Sequence, residues 1–198
     1  HIKNVSKNSN RVSITKKILC ITYNNIASET NLTRLGSSTT QLKILTIHSF
    51  LYKHIIKPYM SFISEEFNFE ISLLDGHDDK IVSDYTFLQE WKARTGQLRI
   101  TDDNLIINAF EAIKWKLEDD DLVAKTDYPI KFKGYPIKYS SYRDYKEMAW
   151  QRGVLHHDDV LFFSYHILKK FPFVVTVLNQ RFPYVFVDEF QDSNPIQI

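Results

Sequence analysis

A single cysteine stands among the 198 residues, and Cys20 lies inside an apolar run. That excludes an internal disulfide and leaves a small core residue, suited to a reducing compartment. No apolar run approaches the roughly 20 residues that span a bilayer, and no secretory leader pattern opens the chain. The expectation is a cytoplasmic chain without a membrane partner. Negative charge is the scarcest commodity at the start. From His1 to Met60, nine basic residues (Lys3, Lys7, Arg11, Lys16, Lys17, Arg34, Lys43, Lys53 and Lys57) face one acid, Glu29. That stretch is +8, so the remainder must be −7 for the net of +1. Such asymmetry suits a polyanion meeting one face, although an unevenly charged solvated surface gives the same count. Hydrophobic content of 43% and charged content of 25% are ordinary for a globular protein with a real core.

The richest stretch is the last one. Tyr184, Val185, Phe186 and Val187 form a β-prone apolar run, which predicts a buried strand of a parallel sheet. Asp188 and Glu189 follow at once, where such a strand leaves the sheet and where ligands of open α/β sheets sit. One carboxylate suits a hard cation such as Mg²⁺ beside a phosphate, and its neighbour can orient and deprotonate water. A solvated turn would carry the same pair.

Along the chain, His1 to Ile14 is polar and predicts a loop. Lys17 to Tyr23 predicts a buried strand, Ile26 to Leu35 a short helix ended by Gly36, and Leu42 to Thr46 a second strand. An apolar helix should begin at Ile47 and stop at Pro58. Phe67, Phe69, Ile71 and Leu73 alternate with polar residues and hint at a strand. Asp102 to Leu117 carries apolar residues near helical spacing, broken by the acidic run Glu118 to Asp121, which fits a solvated turn better than a metal site. Pro129 to Tyr142 predicts an irregular connection. His156, His157, Asp158 and Asp159 also fit helix capping better than a metal cluster. A helix should run from there to Lys170, and a shorter one over Phe171 to Phe182.

Four strings carry a resemblance. Val-Asp-Glu-Phe-Gln-Asp-Ser-Asn-Pro-Ile-Gln (187–197) closely resembles the Walker B motif of UvrD/Rep-type superfamily-one helicases. Ile21-Thr-Tyr-Asn-Asn-Ile-Ala27 is similar to their motif Ia, with Asn24 and Ile26 replacing the usual Thr and Lys. Thr46-Ile-His-Ser-Phe50 resembles the T-F-H-S-F string that follows. The stretch from Trp150 to Leu161 also looks like the family's G-x-x-D-F-D-D-L segment, with His156 and His157 in place of Asp and Phe.

The resemblance implies an α/β fold: a P-loop NTPase (RecA-like) parallel sheet flanked by helices, with a mostly helical inserted subdomain. The motor domain would comprise 1–58 and 152–198, and the insert 59–151. It implies ATP and Mg²⁺ as cofactors, with Asp188 holding the metal, Glu189 activating water and Gln191 sensing the γ-phosphate. Thr22, Tyr23, Asn25, Thr46, His48, Ser49 and Phe50 would line a single-stranded DNA track. The implied activity is ATP-driven 3′-to-5′ translocation on single-stranded DNA and unwinding at duplex junctions. The Gly-rich loop G-x-x-x-x-G-K-[ST] that cradles phosphates is absent. None of Gly36, Gly76, Gly96, Gly134 and Gly153 precedes Lys-Ser or Lys-Thr. The loop is expected upstream of His1, so these residues alone should not hydrolyse ATP. Two rival readings are a helicase-like subunit of a nuclease–helicase repair or anti-phage defence complex, and a degenerate DNA-binding module.

Overall fold

The computed structural model describes residues 9–22, 41–74, 78, 80–125, 131–132 and 135–188. The chain forms two compact units: His1–Tyr59 with Phe163–Ile198, and Met60–Phe162.

The first unit is built on a parallel three-stranded sheet in the order β2–β1–β7, from β1 (Ile18–Thr22), β2 (Leu42–Thr46) and β7 (Tyr184–Val187). The register aligns Ile18 with both Leu42 and Tyr184, and Thr22 with Thr46. β1 is central, and every residue of Ile-Leu-Cys-Ile-Thr is buried, as a strand covered on both faces requires. β7 corrects its expectation. It is a strand, but half-exposed: Val185 and Val187 are 50% and 42% exposed. Among the described residues it pairs only with β1, which leaves its other edge unpaired, and its alternating burial leaves the Val185 and Val187 face open.

Thr46 ends β2 and caps α1 (Ile47–Leu51), its Oγ1 accepting the Ser49 N–H at 3.3 Å. Pro58 does not stop this helix. The backbone passes through a π turn, Tyr52–Ile56, and a last α-helical turn, Lys57–Tyr59, that contains Pro58. Proline removes an N–H and crowds the turn before it; the wider π turn accommodates that defect. A small core of Leu19, Ile21 and Phe182, backed by Leu45, Ile47, Phe50 and Leu178, lies against the sheet.

In the second unit, α2 (Tyr85–Thr95) starts at Asp84, whose carboxylate accepts the Phe87 N–H at 2.7 Å, and ends at Gly96 in the left-handed conformation. α3 is shorter than expected: it covers Asp103–Glu111, and Trp115 belongs to a hairpin of β3 (Lys114–Glu118) and β4 (Asp121–Lys125). The acidic run is that hairpin's turn, with φ of 50° at Asp119 and 65° at Asp120. Asp tolerates this region better than most residues, which is why an apolar helical rhythm can give way to a hairpin here. The alternating Phe67–Leu73 stretch is not a strand but turns and a 3₁₀ turn over Ile71–Leu73. A minimal hairpin joins β5 (Lys131–Phe132) to β6 (Tyr135–Pro136) within the irregular connection.

α4 (Tyr139–Gln151) packs Tyr142 and Tyr145 inward. Tyr142 and Tyr145 meet Phe110, which is edge-on to Trp91 at 5.1 Å, and Trp91 Nε1 donates to the Ser141 carbonyl at 2.7 Å. Gly153 adopts φ of 69°, and a Cβ there would lie 2.6 Å from the Leu73 carbonyl carbon. α5 (His157–Lys170) and α6 (Pro172–Arg181) complete the elements, α6 opening on a proline. No single helix among the described residues is long and apolar enough to cross a membrane.

Candidate functional site

The carboxyl edge of the parallel sheet gathers the described candidate residues. Asp188 follows β7 directly, and its N–H donates to the Ile21 carbonyl at 2.8 Å. That bond continues the β1–β7 ladder by one step and fixes the backbone of Asp188 beside the end of β1. Thr22 ends β1 on the same edge and lies level with Thr46 of β2. Strand spacing of about 4.8 Å therefore places Thr46, Thr22 and Asp188 in a row roughly 10 Å long. Thr22 is buried, whereas the side chain of Asp188 is exposed at the rim. Its charge is felt inside the sheet: burial and then Asp188 push the Cys20 thiol above its ordinary range. Cys20 is thus a packed core residue, poorly ionised.

Beyond Thr46 the edge turns into α1. Thr46 Oγ1 also donates to Ser49 Oγ at 2.9 Å, so one hydroxyl caps the helix and orients a second, exposed one. His48 is half-buried next to it in sequence. Phe50 faces elsewhere. Its ring lies 5.5 Å from His54 and 5.9 Å from Phe182, packed against the small core below the sheet. The structure therefore brings Thr22, Thr46, Ser49 and Asp188 to one edge and turns Phe50 inward. Tyr23, Asn25, Glu189 and Gln191 lie outside the described residues, as does the expected helix over Ile26 to Leu35.

The family model of the UvrD/REP helicase N-terminal domain matches residues 5–198. The chain belongs to that family. The RecA-like fold expected of a UvrD N-terminal domain agrees with the parallel sheet and its flanking helices. Membership supports a helicase-like function, and UvrD-type helicases use ATP, generally with Mg²⁺. Over 53 residues the chain is 40% identical to an ATP-dependent helicase/nuclease protein of Natranaerobius thermophilus, covering 27% of this chain and 4% of that protein. It is 23% identical over 218 positions to Gabija protein GajB of Bacillus cereus, covering 90% of this chain and 31% of GajB. The chain thus spans less than a third of the length of either relative.

Two polar clusters of this UvrD/REP domain escaped the sequence reading. The first lies in the second unit. Asp159 in the first turn of α5 accepts the His156 backbone N–H at 2.8 Å, the return half of a capping box. Its carboxylate also meets Lys146 Nζ at 2.9 Å and His156 Nδ1 at 3.0 Å, while Tyr145 Oη lies 2.6 Å from His156 Nε2. Burial pushes the Asp159 carboxyl up, but Lys146 and the His156 contacts outweigh it and hold the group well below the carboxylate range. His156, Tyr145 and Lys146 line an open cavity of about 600 Å³. The substitution of His for Asp at position 156 was visible in the sequence; its partner on α4 was not.

The second cluster lies in the first unit, where Lys43, Lys53 and Arg181 act on buried His54 and Lys17 joins them in acting on Lys43. The sequence supplied the count of cations but not their convergence, because Arg181 comes from the far end of the chain.

Proposed function

We propose that this chain is part of the first motor domain of an ATP-dependent DNA helicase that translocates 3′ to 5′ on single-stranded DNA and opens duplex junctions. The observation that supports it most is the Asp188 N–H bond to Ile21, which sets the first carboxylate of the Walker B string at the rim of the sheet. An exposed carboxylate at a strand end is a hard oxygen donor, the class of ligand Mg²⁺ takes while keeping its waters. In this reading Asp188 holds the ion, which supplies charge neutralisation at the phosphates. Glu189 takes the proton of the attacking water, and Gln191 reports the γ-phosphate to the DNA side. Thr22, Tyr23, Asn25, Thr46, His48 and Ser49 present hydroxyl, amide and imidazole groups to the strand, with Phe50 as a packing support below them. Residues 1–58 and 152–198 form the motor domain and 59–151 its insert. The protein works in the cytoplasm, where its one buried thiol stays reduced.

The 198 residues contain no phosphate-cradling Gly-Lys-Ser/Thr loop. On their own they should neither hold ATP tightly nor hydrolyse it. The decisive measurement is DNA-stimulated ATP hydrolysis by the native protein that carries this segment. Glu189→Gln should lower it by about 10²- to 10⁴-fold, the usual worth of a general base, while DNA binding persists. Unchanged turnover in that variant would sink the assignment.

A second reading is favoured by the relative whose name couples helicase and nuclease. In it the same motor serves a nuclease partner in a repair or anti-phage defence complex. Co-purification of a nuclease activity with the native protein, lost when the two chains are separated, would select this reading.

A further inference from the structure

The amino edge of the sheet is a cation cluster facing away from the site described above. Lys17 immediately precedes β1, and its N–H donates to the Arg181 carbonyl at 2.9 Å, which brings the end of α6 to the same edge. Lys43 is the second residue of β2, level with Leu19, and Lys53 lies on the π turn behind it. Burial and then Lys53, Arg181 and Lys17 lower the Lys43 ammonium below its ordinary value. His54, on which Lys43, Arg181 and Lys53 act, is 4% exposed, and its Nε2 has no hydrogen-bond partner. Lys53 and Arg181 are exposed, and no described carboxylate pairs with any of the four. The one described acid of this unit, Asp188, is at the other end of the strands, about 15 Å away at 3.3 Å per residue.

Like charges held this close are costly unless an anion arrives to meet them. The partner's chemistry follows from what the cluster lacks as much as from what it has. Single strands are held by bases stacked on open aromatic faces. Here Phe50, His54 and Phe182 pack against one another tilted or edge-on, 5.1 to 5.9 Å apart, and His54 and Phe182 are buried. Charge is offered without a stacking platform, the signature of contact with phosphates rather than bases. We propose that Lys17, Lys43, Lys53 and Arg181 form a second, sequence-independent nucleic-acid contact that grips the phosphate backbone of duplex DNA, at the sheet edge opposite the single-strand track. It rests on the DNA-motor reading: a motor at a junction has a strand at one edge and a duplex to hold at another.

The test uses the native protein and a double variant of the two exposed cations, Lys53→Gln with Arg181→Gln. Binding to a blunt duplex and to a single strand is measured against salt concentration. The log–log salt slope for the duplex should drop by about 1.8, because each lost phosphate contact accounts for about 0.9. Duplex affinity at about 0.1 M salt should fall by roughly ten- to a hundredfold, with single-strand affinity and strand-stimulated ATP hydrolysis retained. The charge-keeping pair Lys53→Arg with Arg181→Lys should behave like the native protein. An unchanged duplex slope overturns the inference and leaves the motor reading standing. Equal losses for single strand and duplex overturn it too, by making the cluster part of the single-strand track. Loss of strand-stimulated hydrolysis in the native protein would instead strike the motor reading, and the inference with it.

Discussion

The two units handle charge in opposite ways. The sheet unit, His1–Tyr59 with Phe163–Ile198, carries twelve Lys/Arg and four Asp/Glu, whereas Met60–Phe162 carries thirteen and twenty. Six of the acidic unit's thirteen cations nevertheless pair within it among the described residues. Lys92 pairs with Asp103, Arg94 with Asp144 and Glu147, Arg143 with Asp121 and Glu147, Arg152 with Glu90, and Lys146 with Asp159. In the sheet unit Lys53 and Arg181 are exposed and Lys17 and Lys43 half-buried, none paired with a described carboxylate, although the Arg181 guanidinium lies 5.7 Å over the Phe182 ring. Paired charge orders a scaffold, whereas convergent unpaired charge waits for something from outside. The difference separates a part built to hold shape from a part built to bind.

If that division is right, the largest stability effect of a charge change belongs to the acidic unit. Lys146 and Asp159 are both fully buried, and Lys146 Nζ also sits 4.8 Å over the Trp115 ring. Lys146→Met strands a carboxylate in the interior and should cost about 3–5 kcal/mol in chemical denaturation. Adding Asp159→Asn should recover much of that loss, since an amide needs no counter-charge and still accepts the His156 N–H. A single variant as stable as the native protein would show that this unit does not depend on its internal pairing. Next in size is Gly153→Ala, at about 3 kcal/mol. About 1–2 comes from a non-glycine residue in the left-handed region and the rest from forcing a methyl against the Leu73 backbone. It should lower the melting temperature, and a neutral result would mean that the loop at Leu73 gives way freely.

How far these features could be read from the chain depended on whether their cause was local. The strands at Ile18 and Leu42 and the helix ending at Lys170 follow from runs and caps a few residues long; a capping role for the His156–Asp159 stretch was also legible, although it was Asp158 that was expected to cap and Asp159 that does. The Walker B string was legible because chemistry constrains consecutive residues there, and Asp188 sits at the strand end as its place after Val187 implied. Trp115 was misplaced because helical rhythm and strand alternation agree over a few residues, and only the left-handed pair Asp119-Asp120 decides for a hairpin. Pro58 misled for the opposite reason: its local prohibition is real, but a π turn one step earlier absorbs it. The exposure of Val185 and Val187 and the meeting of Arg181 with Lys43 are long-range facts. Local pattern does not encode them.

The smallest predicted effect tests the binding side of the comparison through pH. His54 is ringed by Phe50 and Phe182, and burial, then Lys43, Arg181 and Lys53, lower its pKa to about 4 from the ordinary 6.5. The folded protein therefore keeps this imidazole neutral where the unfolded chain already binds a proton. The unfolded state binds more protons between those two values, so stability falls as pH drops from about 6.5 toward 4 and is fully present above that window. In His54→Phe, which keeps a ring in the aromatic cluster, this part of the acid loss should vanish and the melting temperature should decline less between pH 7 and pH 5. Duplex DNA adds a second arm. Phosphates at the cluster would offset Lys43, Arg181 and Lys53 and raise the His54 pKa toward its ordinary value, so bound DNA should shallow the native protein's decline. A decline as steep in His54→Phe as in the native protein would mean that neither burial nor the neighbouring cations hold this imidazole neutral, and an unchanged decline on adding duplex DNA would mean that the contrast between the two units is one of composition alone.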